Sequence, residues 1–177
     1  MFKIWEHLKI IIKHKLVVMK YCFKSGLYLQ GILHDLSKFT PVEFFSSVKY
    51  FNGKKSPTEC ERDNLGYSLA WLNHKGRNKH HWEYWIDHEL KFDSSRMPEK
   101  YVYEMVCDQI GAGQVYMGKE WKQSSPLEYH LSCKNRRGLH PETLELFEMI
   151  LIFIKDNGVD DICFLMKNKI FKYSKGV

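Results

Sequence analysis

Apolar residues recur along this chain at helical intervals, and no run of strict alternation is long enough to mark a strand. Ile4, Leu8, Ile11, Ile12 and Val18 place a first helix over about 3–24, ended by Ser25-Gly26, and Leu29, Leu33 and Leu36 mark a second over about 26–39. Three later helix starts share one chemistry: Thr40-Pro41-Val42-Glu43, Ser56-Pro57-Thr58-Glu59 and Ser125-Pro126-Leu127-Glu128. Each offers a hydroxyl at the N-cap, a proline at N1, and a glutamate at N3 whose carboxylate can reach back to the cap N–H. Further helices are expected near 57–74, near 98–117 after Met97-Pro98, near 141–156 with a stop at Asn157-Gly158, and over 160–172, with a loop at Gly76-Arg77-Asn78-Lys79. The pattern predicts an all-α fold, one helical bundle over 1–177 with no internal repeat.

At 177 residues the chain has the length of one domain with a sizeable core. Its 44% hydrophobic and 27% charged residues are ordinary globular proportions and exclude a disordered chain. The most apolar early stretch, Ile10–Met19, is interrupted by Lys13, His14 and Lys15, whereas a membrane span needs about 20 nearly unbroken apolar residues. Neither a transmembrane anchor nor a signal peptide is expected. The five cysteines are odd in number, widely spread and without a CxxC pair, which argues against a disulfide framework or zinc ribbon and fits reduced thiols in a cytoplasm. The net charge of +6 and the run Lys167, Lys169, Lys172 and Lys175 are compatible with an anionic partner. A basic tail reads first as solvated surface, with nucleic acid the lesser reading.

Candidate chemistry begins at Gly31-Ile32-Leu33-His34-Asp35-Leu36-Ser37-Lys38-Phe39. On a helix, His34 and Asp35 would point about 100° apart and converge on an ion above their shared edge. The two oxygens of Asp35 could serve two ions, and Lys38 would fall on the same face, its ammonium towards any anion held there. Leu33, Leu36 and Phe39 suggest that this helix is largely buried, and a buried carboxylate needs partners or a metal. The alternative is an accidental dipeptide with Asp35 and Lys38 as a surface pair. A second group lies in the segment 71–85: His74 follows Tyr67 and Trp71 on an expected inward aromatic stripe, and His80-His81 return after the loop. Read as ordinary structure, His74 is a core histidine and His80-His81 a solvated pair. His7, His88, His130 and His140 lack a comparable context, and Trp82, Tyr84 and Trp85 read as core or pocket wall.

One histidine on a preceding helix, then His-Asp, then a later aspartate resembles the HD superfamily of metal-dependent phosphohydrolases. His14 fits the first place, His34 and Asp35 the pair, and Asp108 the last, while Lys38 completes a pattern similar to HD enzymes that hold two metals. The motif spans about residues 10–115, with C-terminal helices at about 125–172. The whole chain resembles a small uncharacterised bacterial and phage family within that superfamily. The resemblance implies that His14, His34, Asp35 and Asp108 hold a first divalent ion, that Asp35 bridges, and that His74 with His80 or His81 holds a second. Such a ligand set suits iron, manganese, cobalt, nickel or zinc.

The expected function is hydrolysis of a phosphate ester or nucleotide by metal-activated water, with Asp35 and Lys38 as the catalytic groups and Arg77 or Lys79 as weaker phosphate contacts. Two alternatives stand beside it: an HD-type di-iron oxygenase with the same His-Asp-x-x-Lys spacing, and a non-catalytic HD-like module that binds a nucleotide or partner. No membrane partner is expected, and oligomeric state stays open.

Overall fold

Hydrophobic stripes at helical spacing, punctuated by Pro and Gly, give an all-α chain. The computed structural model describes residues 2–53, 55–133 and 138–173, so Lys175 of the basic run lies outside the described residues. Among them are nine α-helices: α1 (Phe2–Lys24), α2 (Tyr28–Leu33), α3 (Pro41–Tyr50), α4 (Pro57–Leu65), α5 (Leu69–Arg77), α6 (Glu99–Met117), α7 (Ser125–Ser132), α8 (Pro141–Asn157) and α9 (Val159–Lys167). Short 3-10 turns cover Leu36–Phe39, Trp82–Trp85 and Gly118–Glu120. The extended pairing among the described residues is one isolated bridge, Ile86 to Ser94. No described helix is long and apolar enough to cross a membrane.

The core forms around α6, which is buried from Val102 to Cys107 on every side, as expected for a helix surrounded by others. On α1, Ile11, His14, Val18, Tyr21 and Cys22 share the buried stripe. The two helices approach closely where Gly111 meets Val18: a Cβ on Gly111 would stand 2.5 Å from Val18 Cγ2. On the other side, α8 and α9 contribute Phe147, Ile150, Leu151, Ile154 and Ile162 to the same core. A second group of helices, α3, α4 and α5, packs together and against the turn Leu36–Phe39.

Several elements differ from the sequence expectation. The helix expected over 26–39 ends at Leu33. His34 is extended (φ −48°, ψ 125°), Asp35 takes the left-handed conformation (φ 54°, ψ 25°), and the chain resumes as the 3-10 turn. Aspartate tolerates that conformation better than most residues. The carbonyls freed at the break are taken up by Lys15 Nζ, 2.7 Å from Ile32 O and 2.8 Å from His34 O. Leu33, Leu36 and Phe39 are 50%, 46% and 43% exposed, so burial here belongs to the His-Asp pair and not to the leucines around it.

The helix expected over 57–74 is two, α4 and α5, parted by Gly66 at φ 80° and restarted by Ser68, whose hydroxyl caps Trp71 N. Tyr67 therefore sits in the joint, 55% exposed, and does not share an inward stripe with Trp71 and His74. Helix α5 runs on through Gly76 to Arg77, where a loop was expected, and the last helix, expected over 160–172, stops at Lys167.

None of the three expected capping boxes forms. Thr40 Oγ1 donates back to Ser37 O, Ser56 bonds Thr58, and Ser125 is one residue inside its helix, accepting from Lys122 N. The glutamate of the first box, Glu43, turns inward and is 2% exposed.

Substituting Gly111 by alanine is expected to lower stability by about 1–3 kcal/mol, because its Cβ has no room against Val18. Gly76→Ala, exposed in α5 with open space around the new methyl, should instead be neutral or add about 0.5–1 kcal/mol. Urea unfolding followed by circular dichroism compares them; equal effects would mean that the α1–α6 contact is looser than the geometry requires.

Candidate metal centre

Side chains far apart in sequence meet at the break after α2. His14 comes from the buried stripe of α1, Asp108 from α6, His74 from α5, and His80 and His81 from the turn that follows α5. Two groups of potential ligands share Asp35, namely His14, His34, Asp35 and Asp108, and Asp35, His74, His80 and His81, and a third, His34, His80 and Glu104, adjoins them. Within each group one donor atom per residue lies within 4.8 Å of all the others.

Asp35, 2% exposed, belongs to both. Its Oδ2 faces His14 Nε2 at 3.5 Å and His34 Nε2 at 3.4 Å. Its Oδ1 faces His74 Nε2 at 3.3 Å and His80 Nε2 at 3.4 Å. Asp108 divides in a similar way: Oδ1 stands 3.0 Å from His14 Nε2 and 3.5 Å from His34 Nε2, while Oδ2 stands 3.8 Å from His80 Nε2. Ligand atoms about 2.1 Å from one ion lie roughly 3.0–3.4 Å from each other in octahedral or tetrahedral arrangement, the range of most of these separations.

Despite this proximity, Nε2 of His14, His34, His80 and His81 and Oδ1 of Asp35 are buried without an aligned hydrogen bond, while Asp35 Oδ2 is met by the Lys38 ammonium. Buried polar atoms seldom go unsatisfied, and a set of them aimed at common points fits divalent cations. The residues present therefore fit one or two ions.

The opposite ring nitrogens are tied down. His34 Nδ1 and His80 Nδ1 both donate to Glu104 Oε1, at 3.0 and 3.1 Å. His74 Nδ1 lies 2.9 Å from Glu43 Oε2, which also accepts from Ser37 Oγ, and Asn78 Nδ2 donates to Ser37 Oγ and to His74 O. A carboxylate on Nδ1 fixes the ring and leaves Nε2 to coordinate, the usual support of a metal-binding histidine.

Electrostatics point the same way. Burial would lower His34, but Asp35, Asp108 and Glu104 overturn that and push it up to about 10. Burial would raise Asp35 and Asp108; their imidazole neighbours, together with Lys38 for Asp35, hold both well below the usual carboxylate range. Burial beside His80 and His74 drives His81 well below the usual histidine value, so it stays neutral with a lone pair to offer. The centre is thus short of positive charge. Lys38 supplies some of it, 2.6 Å from Asp35 Oδ2, its side chain 31% exposed and Asp108's 20%, so the centre opens on their side.

Other candidates fall outside. Arg77 is exposed, and Lys79 lies over the rings of Tyr84 and Tyr101. His7 is buried against Phe44 and Phe51, His88 is exposed, His130 bonds Glu148, and His140 caps α8. Trp82 and Trp85 pack on the core. Sequence reading missed Glu104 and took Glu43 for a cap. The available signal for Glu104 was its place one turn before Asp108, which puts it on the same side of α6.

The chain belongs to a family of unknown function (DUF5662), whose match covers residues 3–152 and so includes every residue of both ligand groups. No curated protein and no solved structure matches the chain.

His34→Ala or Asp35→Ala should remove most bound metal and leave the helical circular-dichroism signal largely unchanged, because the core is built from apolar faces elsewhere; full metal retention in both would dismiss the centre. His7→Ala and His140→Ala should leave metal content unchanged. Because an ion must displace the proton that the carboxylates hold on His34, binding at neutral pH should release about one proton and strengthen as pH rises, until His34 loses that proton unaided at about 10. Calorimetry in buffers of different ionisation enthalpy measures that release, and none would mean that His34 is already neutral without metal.

Proposed function

For this member of a family of unknown function, we propose a metal-dependent phosphohydrolase of the HD type, acting on a phosphate ester or nucleotide. The observation that carries the reading is Asp35, one buried carboxylate whose two oxygens address different groups of imidazole nitrogens. Two-metal hydrolases hold their ions about 3.5–4 Å apart, a separation that a bridging carboxylate spans. His14, His34 and Asp108 would hold the first ion with Asp35 Oδ2, and His74, His80 and His81 the second with Asp35 Oδ1. Iron, manganese, cobalt, nickel and zinc all suit these donors. The ordered set His14, His34-Asp35, Lys38 and Asp108 supports the HD assignment by its resemblance to that superfamily.

Bound divalent ions lower the pKa of water and withdraw charge from phosphoryl oxygens, which removes the need for a protein nucleophile. The chain's own groups do the rest. Glu104 and Glu43 orient the imidazoles, and Asp35 and Asp108 keep the centre anionic enough to attract cations. Lys38, on the open side, would offer its ammonium to the substrate's phosphate when Asp35 holds metal.

The test is metal content and turnover of purified protein loaded with each candidate metal. About two ions per chain with release of phosphate from p-nitrophenyl phosphate or a nucleotide is expected. The double variant His74→Ala/His80→Ala should hold half as much metal and lose most of that activity, since one ion no longer supports both the attacking and the leaving oxygen. A di-iron protein that consumes dioxygen without releasing phosphate would replace this reading with an oxygenase. A bound ligand without turnover would replace it with a binding module.

A further inference from the structure

Two imidazoles that belong to different ligand groups share one hydrogen-bond acceptor. His34 sits in the first group and His80 in the second, their ring centroids 4.5 Å apart. Both direct Nδ1 at Glu104 Oε1, at 3.0 and 3.1 Å. Glu104 lies on α6 one turn before Asp108 and is 5% exposed, so its carboxylate meets the two rings away from bulk water. The second group has its own acceptor as well, Glu43 from α3, which touches His74 and neither ring of the other pair.

We infer that Glu104 is the positioning residue that makes the two metal subsites one unit, a single carboxylate oxygen fixing one histidine of each. This rests on the two-ion reading above and adds to it the means by which the subsites depend on each other. If Glu104 is lost, His34 and His80 are freed together, and each can turn its Nε2 away from Asp35 and Asp108. If Glu43 is lost, only His74 loses its carboxylate and is left with Ser37 Oγ at 3.2 Å and Asn78 Nδ2 at 3.1 Å from its Nδ1, and the first group keeps all its supports. The two carboxylates therefore differ in what they control: Glu104 acts on both ions and Glu43 on one.

Losing one such orienting partner typically costs about 10–100-fold in metal affinity. Because Glu104 supports a ligand of each ion, that cost should appear twice.

The test is a stepwise titration of metal-free protein with Co²⁺ against a chromophoric chelator, with the visible cobalt absorption reporting coordination. Glu104→Gln keeps the volume and an acceptor oxygen but not the charge; Glu104→Ala removes both. The parent should take up two Co²⁺ per chain. Both Glu104 variants should weaken the two steps together, about 10–100-fold in the alanine form and less in the glutamine form, with altered cobalt spectra. Their metal-free helical signal should match the parent's, which a role confined to folding would not leave intact. Glu43→Gln should weaken one step alone. If the parent takes up two ions and either step keeps its affinity in both Glu104 variants, or if Glu43→Gln weakens both steps, the inference is overturned while the two-ion reading stands. A parent that takes up fewer than two ions overturns that reading and the inference with it.

Discussion

A carboxylate taken out of water must be met by donors or cations, and Asp35 is almost wholly buried. The arrangement around it follows from that demand. Four imidazoles and one ammonium surround its two oxygens. Three of those imidazoles are in turn held from behind by Glu104 and Glu43, themselves buried. The cluster is a nested set of charges in which each inner group needs the outer one. The inner carboxylates and the outer ones together outnumber Lys38 and the His34 imidazolium, and that deficit of positive charge is what would draw a cation to the centre.

The fold serves this cluster by rigid approach. Gly111 lets α1 and α6 come close enough for His14 and Asp108 to meet, because any side chain there would run into Val18. The break after Leu33 then inserts His34 and Asp35 between them, and the left-handed Asp35 turns its carboxylate towards both groups at once. Lys15 completes the break by binding the two carbonyls that the interrupted helix leaves free, which ties α1 to the site a second time beside His14. A continuous helix over the same residues would have carried Asp35 about 100° away from His34 on a regular surface, with no such freedom.

Local signals were legible where local chemistry decides. Gly26, Gly118 and Gly158 end or follow helices with positive φ, and prolines at the starts of α3, α4 and α8 fix where those helices begin. The same reasoning failed one level up. The hydroxyl-proline-x-glutamate starts gave the right places for helices but not the capping bonds, because Glu43 has a stronger claim on it from His74 than from its own helix end. Gly66 was passed over within a helical pattern, although its φ of 80° splits that pattern into α4 and α5. Leu33, Leu36 and Phe39 look like a buried face in sequence and are half exposed, since the break turns them outward.

From the sequence alone came the all-helical class, most helix starts, and the residues His14, His34, Asp35, His74, His80, His81 and Asp108 as the candidates for metal binding. These depend on residue type, periodicity and chain punctuation, all of which act over a few positions, with the resemblance supplying their order. Only the tertiary structure decided that both His80 and His81 reach the second group, that Asp35 faces two ways, and that Glu104 and Glu43 stand behind the rings. Those facts join residues as far apart as 14 and 108, and such meetings are set by how helices pack and where a backbone breaks, which no local pattern encodes.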